Sequence, residues 1–169
     1  PPVVELARVT DRGIRESHML DMKQLVLEKD KSVIGIFCDN AVTDHDGNLF
    51  DACSYATTAA INSCKIPKYE MKDDAPVKIE NEFIDPPITT LPVSVTMGKI
   101  ADYIIVDPNL DEWSIIDARI TITTNSDKNI VALQKGGKDG FTQDELLRCA
   151  EISVKVGSTI REIIKQSSS

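Results

Sequence analysis

No two cysteines in this chain stand at C-x-x-C spacing, and no Cys/His cluster spacing occurs. That argues against a structural zinc site built from Cys38, Cys53, Cys64 and Cys149. Cys38 and Cys53 lie in apolar runs, where free cysteine behaves as a small hydrophobe. No apolar run is long enough to span a bilayer, and no signal-peptide pattern is present. No membrane partner is expected, and a cytoplasmic compartment with reduced thiols is. The chain also lacks positive charge overall: 19 Lys and Arg against 27 Asp and Glu give a net charge of −8. This excludes a general nucleic-acid coat, which is basic over a whole face, but not a narrow basic channel or one shared with a basic neighbour. Repeats and low-complexity segments are absent. There is no initiator methionine either. The chain opens Pro-Pro and enters helical periodicity at once, which reads as a fragment or a partly recorded chain.

What is present suits one domain. The chain has 169 residues, 41% hydrophobic and 27% charged, enough for a single sizeable core. Pro2 to Ser17 has helical periodicity, with Pro2 suited to a first turn. Within it Arg8, Arg12 and Arg15 follow i, i+4, i+7 and fall within an arc of about 60°. Leu6, Thr10, Gly13 and Ile14 then face a core. An arginine stripe on an acidic chain points to a local anion, phosphate first, because the guanidinium fork matches its geometry. The bland alternative is a solvated helix face with Glu5, Asp11 and Glu16 as partners.

Further along, Leu25 to Leu27 reads as a short strand and Lys29 to Lys31 as a turn. Ser32 to Cys38 (SVIGIFC) reads as a buried strand that could continue through Val42. Asp44 to Asn48 has turn composition; it lacks the remaining ligands of a calcium loop. Leu49 to Cys64 is spaced for a helix, with Ala52, Ala56, Ala59, Ala60 and Ser63 as a small face for close packing. Tyr69 to Phe83, broken by Pro76, holds two short strands. Pro86, Pro87 and Pro92 prevent regular structure until Val93 to Lys99 and Tyr103 to Val106, both strands. Asp111 to Ile116 is a short helix. Arg119 to Thr124 alternates like a half-buried strand and pairs with Ile130 to Gln134. Gly136 to Gly140 turns into a last helix. Its capping box is Thr142 with Glu145, and its apolar stripe is Leu146, Leu147, Ala150, Val154, Gly157, Ile160 and Ile164. Ser167 to Ser169 is a frayed tail. His18 and His45 are isolated. The mixture of helices and strands is α+β.

Several blocks carry a resemblance: VVELARVTDRGIRES, SVIGIFCD, DHDGNLFDACSYATTAA, YIIVDPNLDEWSIIDARITIT and ALQKGG, in that order. Together they resemble the RNase PH family over essentially the whole chain, and within it the non-catalytic ring subunits of archaeal exosomes. The resemblance implies an RNase PH-type fold (ribosomal protein S5 domain 2-like) in a single domain over 1–169, with its opening strands missing. It also implies a hetero-hexameric ring, a trimer of heterodimers with a catalytic RNase PH-like subunit, and RNA and RNA-binding cap proteins as partners.

Catalytic members of that family degrade RNA from its 3′ end with inorganic phosphate. They carry a Gly-Thr/Ser-Arg triplet after an Ala-Asp-x turn, because phosphorolysis must hold a phosphate dianion beside a phosphodiester. Aligned on Phe50-Asp51-Ala52, this chain has Cys53-Ser54-Tyr55: the hydroxyl of Ser54 stays, and Tyr55 cannot replace a bidentate guanidinium. Catalytic members also have two acidic residues six apart, for metal binding and general acid work. Here those positions fall on Glu112 and Ala118, with Asp117 one residue away. No catalytic residue, metal ligand or cofactor is therefore expected. By the same resemblance Arg8, Arg12 and Arg15 match the arginines that line the RNA path. The expected function is to bind and position RNA for 3′→5′ degradation by a catalytic partner. The competing expectations are an active phosphorolytic exoribonuclease and a ring spacer without RNA contact. Asn40, Ala41, Thr43 and Asn62 stand where relatives have apolar residues, which leaves local packing open.

Overall fold

The computed structural model describes residues 2–73 and 75–167. Helix α1 runs Pro2–Glu16, followed by a 3₁₀ turn Met22–Leu25 and the small ladder of β1 (Val26–Glu28) with β2 (Ser32–Val33). Helix α2 spans Leu49–Ser63, and β3 (Ile66–Lys72) pairs with β4 (Ala75–Ile84) as an antiparallel hairpin. Then come β5 (Val93–Ile100), β6 (Tyr103–Val106), α3 (Leu110–Ile115), β7 (Ala118–Thr124), β8 (Ile130–Gly137) and α4 (Gln143–Ser167). The last four strands form one antiparallel sheet in the order β6-β5-β7-β8. The architecture is the mixed α and β one expected.

Register decides which side chains meet which helix. Val95 pairs with Ile122 and Met97 with Ile120; these four are buried with Cys149 of α4. The intervening pairs, Ser94 with Thr123 and Thr96 with Thr121, therefore point to the opposite face, towards α1 and α2. There Ser54 Oγ of α2 accepts from Ser94 N at 3.2 Å, and Asp51 accepts from Thr96. The sheet is thus covered by α1 and α2 on one face and α4 on the other, and every residue of β7 is buried. The alternation of Arg119 to Thr124 suggests one wet face. The hydroxyl face is instead dry, and its hydroxyls bond to each other: Ser94 to Thr123 and Thr96 to Thr121, both at 2.8 Å.

Other expectations are corrected. Only Ser32–Val33 of the Ser32 to Cys38 run is strand, and Phe37 is 92% exposed. Ile34 N still donates to Leu25 O at 2.8 Å, but beyond it the run through Cys38 joins no ladder among the described residues, and Cys38 is exposed. The short strand before it begins at Val26, one residue later than read, because the 3₁₀ turn ends on Leu25. In α2 the buried positions are Phe50, Asp51, Cys53, Ser54, Thr57, Thr58 and Ile61, while Ala52, Ala56 and Ala60 are exposed. The face that meets the sheet is the one able to hydrogen-bond to it, as Thr58 does to Pro92 O at 2.9 Å. In α4 the capping box of Thr142 with Glu145 forms as read. Its buried stripe, however, is Cys149, Ser153, Gly157, Arg161 and Ile164, with Leu147 57% exposed. Asn40, Ala41 and Thr43 are exposed, and Asn40 Nδ2 donates to Thr57 Oγ1 at 3.0 Å. Asn62 is half-buried. The tail after Ser167 lies outside the described residues.

Arg161 explains the shift along α4. Its guanidinium is buried and donates through Nη1 to Thr124 O at 2.9 Å and Thr124 Oγ1 at 3.0 Å. Gly157 makes room, since a Cβ there would lie 2.7 Å from Thr124 Oγ1. Gly157→Ala gains up to about 1 kcal/mol of helix propensity. It also displaces Thr124 from a buried guanidinium, at about 1–3 kcal/mol for overpacking before the weakened hydrogen bonds are counted. We expect net destabilisation in urea unfolding; a stabilised variant would contradict this packing.

Candidate nucleic-acid interface

Helix α1 carries the arginine stripe, and its orientation is fixed from the other side. Val9, Thr10, Gly13 and Ser17 are buried, with Leu6 and Ile14 half-buried. Arg8, Arg12 and Arg15 consequently all face solvent. Their surroundings differ. Arg8 makes no hydrogen bond or ion pair with any described residue. Arg15 lies 3.6 Å from Asp11 and 3.8 Å from Glu16, loose pairs between exposed groups that contribute little. Arg12 Nη1 donates to Gln134 Oε1 on β8 at 3.3 Å. Glu5, the first candidate counter-ion on the helix, is turned away to Arg119 at 2.5 Å.

The positions aligned with a phosphate cradle lie in α2. Cys53, Ser54 and Tyr55 sit within the helix, after its first turn. Ser54 is buried and its hydroxyl is engaged by Ser94 N. Tyr55 packs against Met19, Ile61, Leu91, Val93 and Ile164, and burial pushes its phenol far above the usual range. Neither side chain is presented to an open site.

The acidic positions are separated. Glu112 is the third residue of α3, where its carboxylate accepts from Asn109 N at 2.9 Å while Asn109 Oδ1 accepts from Glu112 N. Ala118 opens β7, fully buried, opposite Lys99 and Gly137. Asp117 is exposed, and its carboxylate accepts from Ala101 N at 3.0 Å. Gly137, at φ +84°, fits against Asp117: a Cβ there would lie 2.7 Å from its carbonyl oxygen. Among the described residues no group of three His, Cys, Asp or Glu side chains is arranged to hold a metal ion. No helix among them is long and apolar enough to cross a membrane.

Two groups escaped the sequence reading. Arg119 is buried on β7 with its guanidinium 4.1 Å from the Phe50 ring centroid and 5.4 Å from that of Trp113. A Cβ on Gly136 would lie 2.5 Å from its Nη2, so a side chain there would push the guanidinium aside. Its carboxylate partner is 114 residues away, and nothing local announces the pair. The second is Asp51, in the first turn of α2. It accepts from Thr96 N at 2.9 Å, Thr96 Oγ1 at 2.7 Å and Asn48 Nδ2 at 2.9 Å, and Asn48 Nδ2 also donates to Asp107 Oδ1 at 2.7 Å. Burial pushes the Asp51 carboxyl up to about 6 against the pull of these donors, and the Asp107 charge adds to the rise.

Asp51 therefore binds its proton more tightly folded than unfolded. Its contribution is most favourable near pH 4 and is lost as pH rises to about 6, by about 3 kcal/mol at most. Asp21, bonded to Gln24, and Glu145, bonded to Lys99, titrate below their usual range and act in the opposite sense. Neither is altered by Asp51→Asn, so comparing urea stability of the two proteins from pH 4 to 7 isolates Asp51. The variant should lose that part of the slope; identical pH profiles would refute the assignment.

Two models of one family match the chain: 3′ exoribonuclease family, domain 1, over residues 3–67, and domain 2 over residues 90–156. The exosome complex component Rrp42 of Thermococcus gammatolerans is 42% identical over 165 residues, covering 97% of this chain and 60% of that protein. A solved archaeal exosome core superposes with a TM-score of 0.79 at 34% identity, over 96% of this chain and 63% of that one. A structure described as the Archaeoglobus fulgidus exosome with RNA bound to the active site gives the same TM-score and identity, over 96% and 61%. The chain thus spans about three fifths of the length of the relatives it matches.

Proposed function

This chain belongs to the 3′ exoribonuclease (RNase PH) family, and from that premise we propose that it is a ring subunit of an archaeal-type exosome that holds RNA without cutting it. The supporting observation is the contrast between two sets of side chains. Arg8, Arg12 and Arg15 stand exposed on one face of α1 on a chain of net charge −8. Ser54 and Tyr55, which would have to cradle phosphate, are turned into the core; Glu112 closes a helix cap and Ala118 offers only a methyl.

The mechanism is electrostatic threading. Guanidinium groups along one helix face contact successive phosphates of a single strand and fix its position. Such contacts carry no base information, so RNA passes regardless of sequence. A catalytic RNase PH-like subunit, paired with this one in a trimer of heterodimers, performs the phosphorolysis, and RNA-binding cap proteins deliver the strand. The solved relative described with RNA at its active site supports a role close to the substrate path.

The test uses the assembled complex. With Arg8, Arg12 and Arg15 changed to alanine, affinity for a 3′-ended single strand should fall. The slope of log affinity against log salt should flatten by about 2, since each single-strand phosphate contact contributes about 0.7. An unchanged slope would remove the stripe from the RNA path. Separately, the chain without its partner should release no nucleoside diphosphate from RNA and inorganic phosphate. Release would establish the competing reading, an active exoribonuclease.

A further inference from the structure

The three arginines of the stripe are not equivalent, and the difference lies in a chain of contacts that crosses from α1 to the sheet. Gln134 on β8 is a half-buried amide between two charged groups of α1. Its Oε1 accepts from Arg12 Nη1 at 3.3 Å, and its Nε2 donates to Glu5 Oε1 at 3.4 Å. Only one orientation of the amide satisfies both neighbours, because the reverse sets NH₂ against a guanidinium and oxygen against a carboxylate. Glu5 Oε1 accepts a second bond, from Arg119 Nη2 at 2.5 Å. Arg119 in turn is held between Phe50, Trp113 and Gly136 and has little freedom to move.

This arrangement has two consequences for the stripe. Glu5 lies three residues before Arg8, the spacing at which a helical ion pair forms by default. Arg119 draws Oε1 of that carboxylate to itself, and Arg8 has no hydrogen bond or ion pair among the described residues. Arg12, for its part, is tied to a neutral group. One of its five N–H donors goes to Gln134, and its charge and remaining donors stay available. Arg12 lines a small cleft together with Val9, Thr121, Ala132 and Gln134. A long side chain fixed in this way loses less freedom when it meets a phosphate.

We infer that Gln134, with the Glu5–Arg119 pair behind it, is a positioning device for the phosphate-binding arginines: it orients Arg12 and withholds from Arg8 and Arg12 the carboxylate that would neutralise them. The inference rests on the reading that the stripe holds RNA. A carboxylate in place of Gln134 would neutralise Arg12 and repel Glu5.

The experiment is a double-mutant cycle in the assembled complex, with binding of a 3′-ended single-stranded RNA measured at fixed salt and thermal unfolding recorded for each variant. Gln134→Ala should weaken binding about three- to tenfold in the wild-type background and have no further effect once Arg12→Ala is present, which is the coupling expected of residues in contact. Gln134→Glu should weaken binding more than Gln134→Ala does. Unfolding temperatures should not follow this order, as they would for a purely structural residue. If Arg12→Ala weakens binding while Gln134→Ala leaves it unchanged, or acts equally in both backgrounds, the positioning role is overturned and the RNA-holding stripe stands. If Arg12→Ala leaves binding unchanged, the positioning role is overturned; the RNA-holding stripe falls only if the triple arginine variant leaves binding and its salt slope unchanged as well.

Discussion

The guanidinium of Arg119 is where the separate elements of this chain are fixed to one another. It projects from β7 and pairs with Glu5 of α1. It lies over Phe50 of α2 and near Trp113 of α3, whose rings stack with centroids 6.1 Å apart, and fills the space left by Gly136 of β8. A delocalised, weakly hydrated cation suits this place, since it can stack on aromatic faces while bonding to a carboxylate edge-on. Burying a charge is costly unless it is paired or hydrogen-bonded, and Glu5 pairs this one. Because Glu5 sits near the start of α1, the same contact sets how that helix is rotated on the sheet, and with it the direction of the arginine stripe.

The layer beneath α1 and α2 has an unusual chemistry for a core. Ser94, Thr96, Thr121 and Thr123 line the sheet there, and Ser54, Thr58 and Asp51 answer from α2. Hydroxyl pairs and short bonds to backbone allow close approach of helix and sheet, but they fix the registration of each partner, because a buried donor without an acceptor is costly. The opposite face is conventional: Val95, Met97, Ile120 and Ile122 pack on Cys149. The two faces divide the work of the sheet, one supplying apolar burial and the other a specific seating for α2, against which the arginine-bearing α1 packs.

That seating connects to the proposed role. A strongly acidic chain repels RNA at long range, so any contact must be local and well placed. Exposed arginines on a helix held by the partly buried Glu5–Arg119 pair meet that requirement. Ser54, Tyr55 and Glu112 meanwhile have structural duties: Ser54 holds a strand, Tyr55 fills a core cluster, and Glu112 caps α3.

The sequence by itself determined most of the periodic elements and the spacing that puts Arg8, Arg12 and Arg15 on one helix face. Helices α1, α2 and α4, the strands after Pro92 and the Thr142–Glu145 capping box arise from local spacing, hydrophobic pattern and short-range hydrogen bonds, all written within a few residues. That Tyr55 and Ala118 bring no charge is likewise visible in the letters alone. Tertiary structure decided what local pattern cannot contain. It dried the hydroxyl face of β7, because burial depends on what lies on both sides of a strand. It left Gly35 to Cys38 without a ladder, because a strand needs an edge to join. It rotated α4 onto Cys149, Ser153 and Arg161 instead of Leu146 and Leu147, because a guanidinium bonded to Thr124 outranks an exposed leucine. And it drew Glu5 to Arg119 and Arg12 to Gln134 across more than a hundred residues, so that the stripe first legible at Arg8, Arg12 and Arg15 became a set of charges with unequal partners.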